Sequence, residues 1–160
     1  MTWNETIENF SHFLKFERNF SDNTLDAYIR DVKKLKAFSE EKLDNTTPDK
    51  ITFENLQEFL LHLTKEKISE RTQARGISSI KSFFKYLIEE EIREDNPSTL
   101  LEGPKLGLYL PDTLSFEDVE KIIKAIDLST DLGVRNHCII EVLYGCGLRV
   151  SELIELKISD

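Results

Sequence analysis

Hydrophobic positions in the first 95 residues recur at helical spacing in four blocks. Trp3, Ile7, Phe10 and Leu14 follow i, i+4, i+7 and i+11, an apolar stripe along one face of a helix. Thr2 and Glu5 stand ahead of it at the spacing of a capping box. Leu25, Tyr28, Ile29, Val32 and Leu35 predict a second helix, capped by Ser21 or Asp22. Pro48 sits in the polar loop that follows, and a third helix starts at Thr52 with Phe53, Leu56, Phe59, Leu60 and Leu63 inward. The fourth is capped by Ser69 and runs to about Glu91. Ile77, Ile80, Phe84, Leu87 and Ile88 line its apolar side together with Gly76, where a neighbouring helix is expected to approach closely.

Periodicity then breaks. Three of the four prolines (Pro97, Pro104, Pro111) and two of the six glycines (Gly103, Gly107) fall between Asn96 and Asp112, a density of helix breakers that predicts a linker. The expected organisation is a helical domain over 1–95, a linker over 96–112 and a second piece over 113–160. In that piece Ser115 and Asp118 open a helix with Val119, Ile122, Ile123 and Ile126 inward. An apolar helix from about Gly133 to Tyr144 follows, then a turn at Gly145-Cys146-Gly147 and a short helix from about Arg149 to Leu156. No stretch alternates with the period of a strand, so the expected class is all-α. About 50 residues lie near the lower limit for a self-supporting core. Because Ile158-Ser159-Asp160 follows an apolar helix without a cap, the chain reads as a fragment, or as one whose C-terminal partner comes from elsewhere.

Composition narrows the function classes. With 39% hydrophobic residues and ten Phe, the chain can bury a core. It has neither an apolar run long enough for a membrane span nor the basic, then apolar, start of a secretory signal. A cytoplasmic protein is expected. Cys138 and Cys146 lie eight residues apart in a helical segment, which places their Cα atoms ~12 Å apart and predicts free thiols. His12, His62 and His137 share no ligand spacing with them or each other, so no metal site is expected. The net charge of −9 runs against a simple nucleic-acid binder, which usually leans basic. Both halves are acidic, with 16 basic and 20 acidic residues up to Gly107 and 5 against 10 after it.

The fourth helix departs from that balance. No acidic residue stands between Arg71 and Lys85. At ~100° per residue, Arg71, Arg75, Ser78, Ser82 and Lys85 fall within about 80° of one another, opposite the apolar side. Such a face suits a helix in a DNA major groove, where cations meet phosphates or guanine edges and hydroxyls bond either. It equally suits a solvated helix surface, although such a surface ordinarily mixes charge signs. Asn23, Ala27, Arg30 and Lys34 form a weaker companion face on the second helix, flanked by Asp26 and Asp31. In the second piece, the two glycines of Gly145-Cys146-Gly147 precede Arg149 and Ser151 at a helix start. An arginine there can grip an anion with its planar fork, or pair with Glu152 or Glu155 at the surface.

As a string, Gly145-Cys146-Gly147-Leu148-Arg149-Val150-Ser151-Glu152-Leu153 resembles the first arginine motif of the tyrosine site-specific recombinases, closely that of the Xer group. Residues 74–87 (Ala-Arg-Gly-Ile-Ser-Ser-Ile-Lys-Ser-Phe-Phe-Lys-Tyr-Leu) resemble a stretch of that family's core-binding, SAM-like domain. Asn23-Thr24-Leu25-Asp26-Ala27-Tyr28 with Arg30-Asp31 resembles its second helix, and Asn96-Pro97, Pro104-Lys105 and Leu110-Pro111 resemble its linker. The resemblance runs over nearly the whole chain in the family's order.

It implies a four-helix core-binding domain followed by the first helices of a catalytic domain truncated after its first arginine motif. In the family, the two domains clamp duplex DNA. A tyrosine attacks a phosphodiester to give a 3′-phosphotyrosyl link, and four protomers exchange strands without metal or nucleotide cofactor. Arg149 matches the first arginine that stabilises the transition-state phosphate, and Glu152 an acidic position able to orient it. The DNA-binding candidates are Asn23, Thr24, Arg30, Lys34, Arg71, Arg75, Ser78, Ser79, Lys81, Ser82 and Lys85. The family's active-site lysine, His-x-x-Arg motif and nucleophile have no counterpart here, and Tyr28, Tyr86, Tyr109 and Tyr144 match none of them. The resemblance therefore implies a chain that binds a duplex recombination site and is inactive in cleavage by itself. It would be monomeric off DNA, whereas the whole protein would form a tetramer with sister protomers and serve chromosome-dimer resolution. The rival readings are a helical protein-interaction module and a short regulator that occupies DNA sites without cutting.

Overall fold

A computed structural model describes residues 2–66, 68–104, 107 and 112–159. The expected motif residues Lys105, Leu110 and Pro111, and also Tyr109, lie outside the described residues. Every element among them is helical, as the periodicity predicts: α1 (Trp3–His12), α2 (Asp22–Lys42), α3 (Phe53–Lys65), α4 (Glu70–Glu89), α5 (Phe116–Lys124), α6 (Asp131–Cys146) and α7 (Val150–Glu155). A π-helical turn, Phe13–Glu17, continues α1, and a 3-10 turn, Pro48–Lys50, precedes α3. The chain divides into two compact units, Met1–Leu108 and Tyr109–Asp160.

The starts of these helices follow local chemistry. The amide of Thr2 donates to the Glu5 carboxylate at 3.0 Å, and that of Glu5 returns a bond to the Thr2 hydroxyl. Those two bonds satisfy amides that a helix N-terminus otherwise leaves unpaired. Thr52 and Ser115 cap α3 and α5 in the same reciprocal manner, and Ser21 and Ser69 cap α2 and α4 by accepting from the Thr24 and Thr72 amides.

The core of the first unit is aromatic. Phe10 and Phe83 meet edge to face at 5.2 Å, Trp3 stacks on Phe83, and Tyr86 leans on Phe10 and Phe13. Val32, Leu35, Leu56, Ile80, Phe84 and Leu87 fill the space around them with no exposure. The core thus draws on all four helices, and α2 packs directly along α4. The π-helical turn brings Phe13 and Leu14 inward side by side and leaves Phe16 exposed. Arg93 fastens the end of α4 to the start of α3 by donating to the carbonyls of Pro48 and Ile51. Its guanidinium lies over the Phe84 ring.

Two details differ from expectation. Residues 96–101, at the head of the proline-rich stretch, pack on the first unit. The Ser98 amide and hydroxyl donate to the Asn96 side chain, and Leu101 enters the core. Gly76 is buried, yet a Cβ there would meet nothing within 4 Å, so it leaves a void instead of admitting a close helix.

In the second unit α6 packs on α5 and on α7. Its core is thin: Val119 is buried, Ile123 and Ile126 are half-buried, and Ile122, expected inward, is 41% exposed. Three helices of 9, 16 and 6 residues enclose too little volume to cover their apolar sides. α6 starts at Asp131, before the expected Gly133, because Thr130 caps it by accepting from the Gly133 amide. It also runs through Gly145 and Cys146, which were expected in a turn, and Gly147 alone takes the left-handed conformation (φ 63°) that ends it.

Candidate nucleic-acid interface

The ridge expected on α4 reaches solvent. Arg71, Ser78 and Lys85 are exposed, and Ala74, Arg75, Lys81 and Ser82 are half-buried beside them. Ile77, Ile80, Phe83, Phe84 and Leu87 hold the opposite side in the core, which fixes the helix's rotation. Arg71 and Lys81 have no carboxylate partner among the described residues. Lys85 approaches Glu89 at 3.7 Å, one turn further along the ridge. Ser78 turns its hydroxyl back to donate to the Ala74 carbonyl at 3.1 Å.

α2 adds to this surface where it runs beside α4. Lys34 lines the same small void as Asp31, Thr72 and Gly76. Arg30 and Asn23 are exposed, and neither Arg30 nor Lys34 has a carboxylate partner among the described residues. Thr24 is half-buried, with its hydroxyl 2.9 Å from that of the capping Ser21. Local cations, not the net charge, decide which phosphates a helix face can meet.

One candidate is corrected. Ser79 has no exposure and donates its hydroxyl to Asp31 at 3.0 Å, so it is an internal residue and not a DNA contact. Its position about 80° from Arg71 on a helical wheel turns it toward α2. Asp31, which flanks the companion face in the sequence, is itself buried. It accepts from Arg75 Nε at 3.0 Å and Nη2 at 3.1 Å. Those bonds raise the Arg75 pKa further above its usual value, against the opposing effect of burial. Sequence spacing held no signal for this pair, because the partners lie 44 positions apart.

In the second unit Arg149 is the N-cap of α7. Its amide donates to Glu152 Oε2 at 2.7 Å and its Nη1 to Oε1 at 2.8 Å. The carboxylate is held below the usual range by the backbone bond first and the guanidinium second. Of the two sequence alternatives the structure shows the pairing with Glu152, in which the Arg149 side chain is 83% exposed. Ser151 lies inside the first turn of α7. No group of three or more metal-ligating side chains comes together among the described residues, and Cys138 and Cys146 are free.

Two family profiles cover these two regions. One, described as "Phage integrase, N-terminal SAM-like domain", matches residues 7–91, which span α1 to α4. The other, "Phage integrase family", matches residues 112–160. The chain belongs to the phage integrase family.

Among integrase-family relatives, a protein named tyrosine recombinase XerD from Oceanobacillus iheyensis is 44% identical over 96% of this chain and 52% of its own length. One of the same name from Listeria innocua is 38% identical over 98% of the chain and 53% of its length. The chain thus spans about half the length of these curated relatives. The fold is also that of the Tn1549 transposon integrase solved in complex with a circular intermediate DNA, with a TM-score of 0.67 at 20% identity. That match covers the whole of this chain and 49% of the integrase.

Proposed function

We propose that the chain is the DNA-gripping half of a site-specific tyrosine recombinase. The first unit holds duplex DNA through the ridge of α4, with α2 beside it. The second unit offers Arg149 to a phosphodiester at the cleavage position. The observation that carries this reading is the exposed, acid-free run of Arg71, Ser78 and Lys85 on a protein of net charge −9. The relatives' name, tyrosine recombinase, and the DNA in the Tn1549 integrase structure support the same reading.

Arg149 suits its part because Glu152 orients the guanidinium and leaves most of it open to solvent. Strand cleavage is not expected from these 160 residues alone, since no tyrosine occupies the family's nucleophile position. For the whole protein the reading extends to strand exchange among sister protomers in chromosome-dimer resolution.

Fluorescence anisotropy with a labelled duplex at low salt tests the reading. Changing Arg71 and Lys85 together to Ala should abolish binding and leave the helical circular dichroism intact, since both side chains are exposed. Unchanged affinity would return the ridge to an ordinary solvated surface, and competition by an acidic protein but not by duplex DNA would make it a protein-docking face.

A further inference from the structure

Asp31 is 3% exposed and sits between α2 and α4 with a full set of partners. Arg75 donates to it from Nε and Nη2, and Ser79 donates from its hydroxyl. Burying a carboxylate this way seldom stabilises a fold more than apolar packing would, because desolvation offsets most of the ionic attraction. The network instead has a directional consequence.

A guanidinium carries five N–H groups on two usable edges. The side edge, Nε with Nη2, is taken up by Asp31. Two of the five donors are thereby committed and three remain, on Nη1 and Nη2. Those three have no acceptor among the described residues, and the Arg75 side chain is 39% exposed. It lies on the ridge between Arg71 and Ser78. The inner edge of the guanidinium is therefore locked, and the outer edge of this part-exposed side chain, unclaimed by any described residue, remains as a two-pronged donor. Two prongs match two oxygens of a phosphodiester.

We infer that Asp31 and Ser79 are positioning residues that preorganise Arg75 as a bidentate clamp on a DNA backbone phosphate. The inference rests on the DNA-binding reading above and adds which α4 cation is held in advance and by what. Arg71 and Lys85 reach phosphates as mobile chains that lose rotamer freedom on binding. Arg75 has already lost that freedom in folding, so its contact costs less entropy. Asp31 does not touch DNA; it acts through Arg75.

The test is a double-mutant cycle on duplex binding, with the 160-residue chain and a fluorescent duplex across a salt series. Arg75→Ala should weaken binding about tenfold at low salt and lower the salt slope by about one phosphate contact. Arg75→Lys should fail to restore affinity, since an ammonium has no second edge. Asp31→Asn should weaken binding about as much as Arg75→Ala, but in the Arg75→Ala background it should have no further effect on affinity. Ser79→Ala, a milder change that keeps the ion pair, should cost about two- to threefold and covers the case in which Asp31→Asn fails to fold. A lower melting temperature with wild-type affinity and slope for Arg75→Ala would overturn the inference and make the network an interhelical tie. If Arg71→Ala with Lys85→Ala still abolished binding in that case, the DNA reading would stand without it. Failure of the wild-type chain to bind any duplex at low salt would remove both.

Discussion

Arg18 reaches across 71 positions to grip Glu89, with Nη2 at 2.8 and 3.0 Å from the two carboxylate oxygens. Glu89 stands in line with Arg71, Arg75, Ser78, Ser82 and Lys85, so the cationic ridge of α4 ends on an acid that two cations share. Glu89→Gln should therefore raise the affinity for duplex DNA a few-fold at low salt. The gain should shrink as salt screens it, and anisotropy titrations at two ionic strengths would read it. Equal affinities at both would show that Arg18 and Lys85 lie off the DNA path.

Gly76 lies mid-helix and buried in α4, with nothing within 4 Å of where a Cβ would stand. Gly76→Ala should stabilise the first unit by about 0.5–1 kcal/mol, because the helix loses less backbone entropy and the new methyl fills an existing gap. A raised thermal midpoint is the expected result, and a lowered one would mean that the gap is already closed in solution.

Gly133 is the opposite case. A Cβ there would run into the backbone carbonyl of Asp127, which the capping turn brings against the start of α6. Gly133→Ala should destabilise the second unit by roughly 1–3 kcal/mol, as overpacking against an unyielding group does. Amide exchange of α5 and α6 should quicken while that of α1 to α4 stays unchanged.

Acid should loosen three helix starts together. Glu5, Asp118 and Glu152 are each held below the usual carboxylate range: Glu5 by the Thr2 amide and hydroxyl, Asp118 first by the Ser115 hydroxyl, and Glu152 first by the Arg149 amide. A depressed folded pKa gives stability that is fully present above the ordinary carboxylate value and is lost as pH falls through the depressed one. Helical signal should hold steady from neutral pH down to the carboxylate range and fall below it. Glu5→Gln should remove its share of that fall, and an identical acid profile for wild type and variant would exclude the cap as its source.

The sequence made most of this architecture legible because helix starts and apolar faces are local properties. Thr2, Ser21, Thr52, Ser69 and Ser115 each cap the helix that the hydrophobic period predicts. What stayed hidden depends on how one helix meets another. Ser79 looked like a surface hydroxyl and Asp31 like a surface charge until α2 met α4 and buried both. The π-helical turn at Phe13–Glu17 was equally unreadable, since one wider turn does not disturb the i, i+4 spacing that precedes it. Ile122 carried a clear inward signal, yet the second unit is too small to enclose it.

The chain's single tryptophan is seated in the core of the first unit, stacked on Phe83, with its indole N–H donating to the Thr46 carbonyl at 2.9 Å. Intrinsic fluorescence is thus a private reporter of residues 1–108. Its emission should shift when the aromatic core opens and stay silent when α5 to α7 unravel, so that an optical melt paired with circular dichroism resolves the two units without any label.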